Sequence, residues 1–119
     1  VINNAGQMYM GLTEAFTADE LAWQLDVNVV GIHRVNRAFL PAMREAGTGV
    51  IINVSSVAGR FGVPLFGVYH ASKWAVEGYS LGFRTELASA GVSARPQATR
   101  MKKYCGVSRA CRVCGLTSR

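Results

Sequence analysis

Tyr69-His70-Ala71-Ser72-Lys73 sets a phenol and an ammonium four residues apart. On a helix that spacing brings both side chains to one face. A tyrosine ordinarily loses its proton at about pH 10, too high for acid–base work near neutrality, and a fixed cation alongside favours the phenolate. An isolated pair of this kind also describes a half-buried tyrosine beside a solvated lysine. Ser56 adds a hydroxyl thirteen residues before Tyr69, and Asn3-Asn4-Ala5-Gly6 adds amides and a glycine near the amino end. Asn28 supplies one more amide between them.

The elements that must carry these residues follow from pattern. Val1-Ile2-Asn3-Asn4-Ala5-Gly6 reads as the end of a buried strand entering a loop. Thr17-Ala18-Asp19-Glu20 is a capping box, so a helix is expected from about Ala18. Leu21, Leu25, Asn28, Val29, Ile32, Val35, Phe39 and Met43 recur at helical steps and predict one apolar face reaching Ala46. Gly31 and the run Val27 to Val30 are poor helix formers and predict a kink. Val50 to Ser56 reads as a second strand, its apolar run fitting a parallel sheet covered on both faces. A loop from Val57 to Gly67 leads to a helix from about Val68 to Ala90, with Gly91 at its stop. Strand, helix, strand, helix is the order of a doubly wound parallel α/β fold of the Rossmann type. Ser56 and the Asn-Asn-Ala-Gly turn then meet at the carboxyl edge of the sheet, where open α/β sheets bind ligands.

At this point residues 1 to about 93 resemble the short-chain dehydrogenase/reductase family. The Asn-Asn-Ala-Gly turn, the Asn28 region, the Ser56 strand end and Tyr-x-x-x-Lys occur in that family's order and spacing. The resemblance implies an oxidoreductase that moves hydride between NAD or NADP and a ketone or secondary alcohol. It makes Tyr69 the general acid/base and gives Lys73 two tasks, tuning Tyr69 and holding the ribose hydroxyls of the cofactor. Ser56 would hydrogen-bond the substrate oxygen, and Asn28 would hold a water linking Lys73 to solvent. Asn4, Ala5 and Gly6 would line the adenosine side of the cofactor. A homodimer or homotetramer of the full-length parent in the cytoplasm is implied as well. The family's glycine-rich phosphate-binding turn is absent, so the chain reads as the catalytic part of a longer one, with NAD or NADP preference unreadable.

Simpler readings stand beside these. Asn28 on an apolar face could be a satisfied core amide, and Ser55 competes with Ser56 because strand alternation lets one of them face the site. His33 and His70 lack the partners of a triad or metal centre and read as structural or solvated. Trp74, Tyr79, Phe83 and Leu87 suit a core or a subunit interface. Phe61, Val63, Leu65 and Phe66 form an apolar loop that either lines a pocket for a hydrophobic carbonyl compound or packs as ordinary loop.

Composition divides the chain near residue 94. Half of its 119 residues are apolar and 17% are charged, which suits a packed core, and no apolar run is long enough for a membrane span. Residues 1–94 carry six basic side chains against all seven acidic ones, whereas Arg95 to Arg119 hold seven basic side chains and no acid. That second segment, 95–119, reads as a disordered basic tail unrelated to the first, replaced through a reading-frame change or alternative exon. It could bind nucleic acid or an anionic surface without specificity, but Tyr104 is its one aromatic for stacking. Cys105, Cys111 and Cys114 leave a tetrahedral zinc site one ligand short, so no metal is expected.

Overall fold

A computed structural model describes residues 1–97. Within it, β1 (Ile2–Asn3), β2 (Gly49–Val54) and β3 (Val92–Gln97) form a parallel sheet in the order β1-β2-β3. Helices α1 (Ala18–Leu25) and α2 (Gly31–Ala46) connect the first two strands, and α3 (Gly67–Leu87) connects the second and third. This is the parallel Rossmann-like α/β arrangement read from the element order. The basic segment beyond Gln97, with its cysteines and its binding alternatives, lies outside the described residues. No described helix is long and apolar enough to cross a membrane.

The helix starts and stops obey local chemistry. Thr17 Oγ1 accepts from the Glu20 amide at 3.2 Å while Glu20 Oε2 accepts from the Thr17 amide at 2.8 Å, which completes the capping box. The predicted kink is a π-helical turn over Asp26–Val30, closed by the Gly31 amide donating to Asp26 O five residues back. At the far ends of α2 and α3, Gly47 and Gly91 take left-handed φ of 63° and 67°, which reverse the chain toward a strand.

Ile51, Leu87, Val92 and Ala94 form one apolar cluster, with Leu40, Met43 and Phe83 packed around them, and Ile32, Ala58, Val68 and Val76 are buried outside it. Beside it runs a layer of buried amides. Asn3 and Asn53 are register partners across β1 and β2. Asn3 Nδ2 donates to Asn53 Oδ1 at 2.8 Å and to Asn36 Oδ1 of α2 at 2.9 Å. Asn53 Nδ2 in turn donates to Ser80 Oγ of α3 at 2.9 Å. Both helices are therefore fastened to the same face of the sheet by groups whose geometry admits one register.

Three expectations change. The helix face turned inward is Gln24, Asn28, Ile32 and Asn36, three of them amides, whereas Leu21, Val35 and Phe39 of the apolar stripe are exposed. Amides win this face because each finds a backbone or side-chain partner there. Among the described residues the sheet is covered on that one face, with Ile2 and Val50 exposed on the other. The segment expected to be disordered from residue 95 instead begins in regular structure, since Arg95 to Gln97 belong to β3, which pairs in register with β2 as far as Val54 opposite Gln97. Pro96, which lacks an amide proton, is tolerated because β3 is the edge strand of the described sheet.

Replacing Asn53 by Leu strips partners from Asn3 and Ser80 together. The expected loss is about 2–4 kcal/mol of unfolding free energy, read as a lower denaturant midpoint. A loss under about 0.5 kcal/mol would show that the amide layer contributes nothing.

Candidate active site

Because β1 and β2 are parallel, their carboxyl ends open on one edge of the sheet, and α3 begins beside them. Asn4 to Gln7 leave β1 there, and Ser55 and Ser56 leave β2. The π turn presents Asn28, 1% exposed, to the first of these loops. Its Oδ1 accepts from the Gln7 amide at 2.8 Å, and its Nδ2 donates to Gln7 O at 2.8 Å and Ser72 Oγ at 2.9 Å. Asn28 thus treats Gln7 as a neighbouring strand would, while tying it to α3. Both of its side-chain amide protons are committed by these bonds, while Oδ1 keeps one lone pair.

Lys73 is 6% exposed, and its Nζ donates to Val54 O, the last carbonyl of β2, at 3.0 Å. The ammonium lies 5.7 Å from the centroid of the Tyr69 ring. Burial pushes the Lys73 ammonium below its ordinary value of 10.5. Close approach of the neighbouring loop is secured by Gly59, where a Cβ would stand 2.8 Å from Lys73 O.

Ser56 caps the short turn Val57–Gly59, its Oγ accepting from the Ala58 amide at 3.2 Å. As an acceptor in that bond it keeps its own proton free to donate. Ser55 is 3% exposed, its amide bonded to Gln97 O at 2.9 Å and its Oγ without a partner among the described residues. Two clefts meet at Ser56 and Tyr69. One, of about 360 Å³, has a polar floor that includes Asn4, Gly6, Ser55 and Lys73. The other, of about 260 Å³, has apolar walls that include Val57, Phe61, Val63 and Phe66.

The sequence-derived site residues thus gather at one edge, with two departures. Ala5 lines a third, neighbouring cleft with Asn4, Val27 and Ile32. Leu65 lies outside the lining of the apolar cleft: it takes a left-handed φ of 71°, its carbonyl accepts from the Gly11 amide at 2.8 Å, and its side chain is exposed. A turn residue in that conformation presents its backbone rather than its side chain to the fold. Met8 and His70 line the apolar cleft without having been singled out for it. Position was the available signal, since Met8 follows the glycine loop and His70 follows Tyr69.

The polar cleft has the chemistry to take a ribose-bearing ligand. An ammonium, a hydroxyl and an amide face it, and Gly6 leaves backbone bare where a Cβ would come within 3.3 Å of Asn28 Oδ1 and 3.7 Å of Lys73 Nζ.

The family model for short chain dehydrogenase matches residues 1–99. The chain is similar to a 3-ketodihydrosphingosine reductase of Bacteroides thetaiotaomicron, 45% identical over 87 residues that cover 73% of this chain and 32% of that protein. It is similar also to human 17-beta-hydroxysteroid dehydrogenase type 1, 46% identical over 78 residues, 66% of this chain and 24% of that one. Among solved structures, a gluconate 5-dehydrogenase from Burkholderia cenocepacia, crystallised with NADP and tartrate, superposes with a TM-score of 0.79. The two are 32% identical, over 82% of this chain and 38% of that one. The chain spans about a third of the length of the first curated relatives it matches. With the family match running from Val1 through the Tyr69/Lys73 helix and beyond β3, this chain belongs to the short-chain dehydrogenase family.

Proposed function

We propose that this chain carries the acid–base and substrate side of a cytoplasmic oxidoreductase that transfers hydride between NAD or NADP and a ketone or secondary alcohol. The observation that carries this reading is the junction of a polar and an apolar cleft at Ser56 and Tyr69, with the Lys73 ammonium alongside. The NADP in the gluconate 5-dehydrogenase structure supports the cofactor class. The keto and hydroxysteroid compounds for which the two relatives are named support an apolar substrate in the second cleft.

The nicotinamide, when bound, supplies or takes the hydride. Lys73 Nζ would hold the ribose hydroxyls of the cofactor, and Asn4, Ala5 and Gly6 would line its adenosine side. Tyr69 Oη gives its proton to the carbonyl oxygen in reduction and takes one from the hydroxyl in oxidation. Ser56 donates its free hydroxyl proton to the same oxygen while negative charge gathers there. Asn28 Oδ1 and Lys73 Nζ both border the Gly6 backbone, which supports a part for Asn28 in a water relay to Lys73. Phe61, Val63 and Phe66, joined by Met8 and Val57, receive the apolar body of the substrate. Exposed Phe39 on α2 with Trp74 and Leu81 on α3 support association into a homodimer or homotetramer.

This chain alone is expected to be inactive; in the full-length parent, Tyr69→Phe is expected to lower carbonyl reduction by about 10²–10⁴-fold while NAD(P)H binding, followed by cofactor fluorescence, persists. Turnover equal to wild type would overturn the acid–base assignment. A second expectation concerns Lys73. At neutral pH both folded and unfolded chains hold its proton, and the folded chain bears the cost of desolvating it. As pH rises toward 10.5 the folded chain releases that proton first, so stability rises relative to Lys73→Met. Urea midpoints of the cofactor-free proteins at about pH 7 and about pH 10 should show the difference between them move in favour of wild type. A difference independent of pH would contradict the burial of the charge. Light scattering of the full-length parent should return the mass of a dimer or tetramer, and a monomer would contradict the association.

A further inference from the structure

His70 is a buried titratable group that the proposed chemistry leaves unused. It is 8% exposed and lines the apolar cleft immediately after Tyr69. Its Nε2 receives the Val63 amide at 2.8 Å, and its Nδ1 lies 2.7 Å from Ala58 O. The partners dictate the protonation state. A backbone amide can only donate and a carbonyl can only accept, so Nε2 is the bare acceptor and Nδ1 carries the proton. The ring is therefore neutral and holds both ends of the segment Ala58–Val63, which includes Phe61 of the cleft wall. The near end of that segment has the turn bonds Gly59 N to Ser56 O and Arg60 N to Val57 O. Its far end, Phe61 to Val63, is fastened through His70. The Phe66 ring meets the imidazole edge-on at 6.2 Å between centroids and completes the packing.

We propose that His70 is a positioning residue whose neutral imidazole clamps Ala58 to Val63 and so sets the wall of the apolar cleft, binding of an apolar substrate weakening when the clamp is removed. The link to substrate rests on the reading of this cleft given above; the clamp does not. A second proton on the ring would put a donor at Nε2 against the Val63 amide, and that bond would be lost. The ionisable groups around the ring are otherwise engaged or turned outward. Tyr69 precedes it at the cleft junction and Lys73 Nζ is bonded to Val54 O. On the clamped segment, Arg60 pairs with Glu77 of α3 at 3.7 Å. The turn Thr13–Ala15, which touches Gly67, holds Glu14, and that side chain is exposed.

Amide hydrogen exchange of the full-length protein tests the clamp without turnover. The Val63 amide should be protected in wild type, and His70→Phe, which keeps a ring but neither bond, should cost it about tenfold or more of that protection. The Ile52 amide, bonded to Val1 O in the sheet, should keep its own. His70→Gln offers one donor and one acceptor and should restore protection of Val63. For reduction of an apolar ketone, His70→Phe should raise KM about tenfold with a smaller change in kcat. Equal protection of Val63 in wild type and His70→Phe would overturn the clamp. A clamp that behaves as expected with KM unchanged would overturn its link to substrate. Failure of the oxidoreductase reading would show instead as absent turnover, with Val63 protection unaffected.

Discussion

One charged hydrogen bond, from Lys73 Nζ to the last carbonyl of β2, joins the fold of this chain to its chemistry. Removing an ammonium from water costs several kcal/mol, and such a group stays charged inside a protein only when strong acceptors meet it. Val54 O is that acceptor, available because a strand ending at the sheet edge has a carbonyl to spare. The bond anchors the first turns of α3 against β2 and thereby sets Tyr69 at the edge where Ser56 also emerges. Neighbouring residues of the same helix reinforce the anchorage. Ser72 meets Asn28, Tyr69 O accepts from Ser72 Oγ, and Gly59 allows its loop to lie against the backbone of Lys73.

The same preference for directed polar contacts runs through the interior. A core of eight buried apolar residues, two of them alanines, supplies modest hydrophobic stabilisation and little specification of register. Asn3, Asn36, Asn53 and Ser80 supply the register, and Asn28 and Gln24 attach the glycine loop to α1 and the π turn. Buried amides of this kind are costly when broken and near neutral when whole, which makes them better at specifying geometry than at adding stability. A site that aligns a phenol, an ammonium and a hydroxyl needs that specification.

Much of this was legible in the sequence, and what was not has identifiable causes. Tyr69 and Lys73 were readable because helical spacing leaves one face for both. Thr17 and Glu20 announced the helix start, and Val27 to Gly31 announced an irregularity whose π character depends on one hydrogen bond that composition does not encode. The strand β3 was hidden because just two of its residues, Val92 and Ala94, are buried, while Arg95 and Gln97 face outward and Pro96 argues against a strand. The inward face of α1 and α2 was misjudged because hydropathy ranks amides as surface residues, and their partners come from loops and strands far away in the chain. Leu65 was placed in the pocket by its type, but the backbone conformation of its turn decided otherwise.

The most direct measurement is a crystal structure of the full-length parent with NAD(P) bound. Lys73 Nζ should remain on Val54 O, with the nicotinamide ribose hydroxyls within hydrogen-bonding distance of both Lys73 and Tyr69, and the apolar cleft open beyond Ser56. A ribose bound elsewhere, or Lys73 turned to solvent with Val54 O left unpaired, would contradict it.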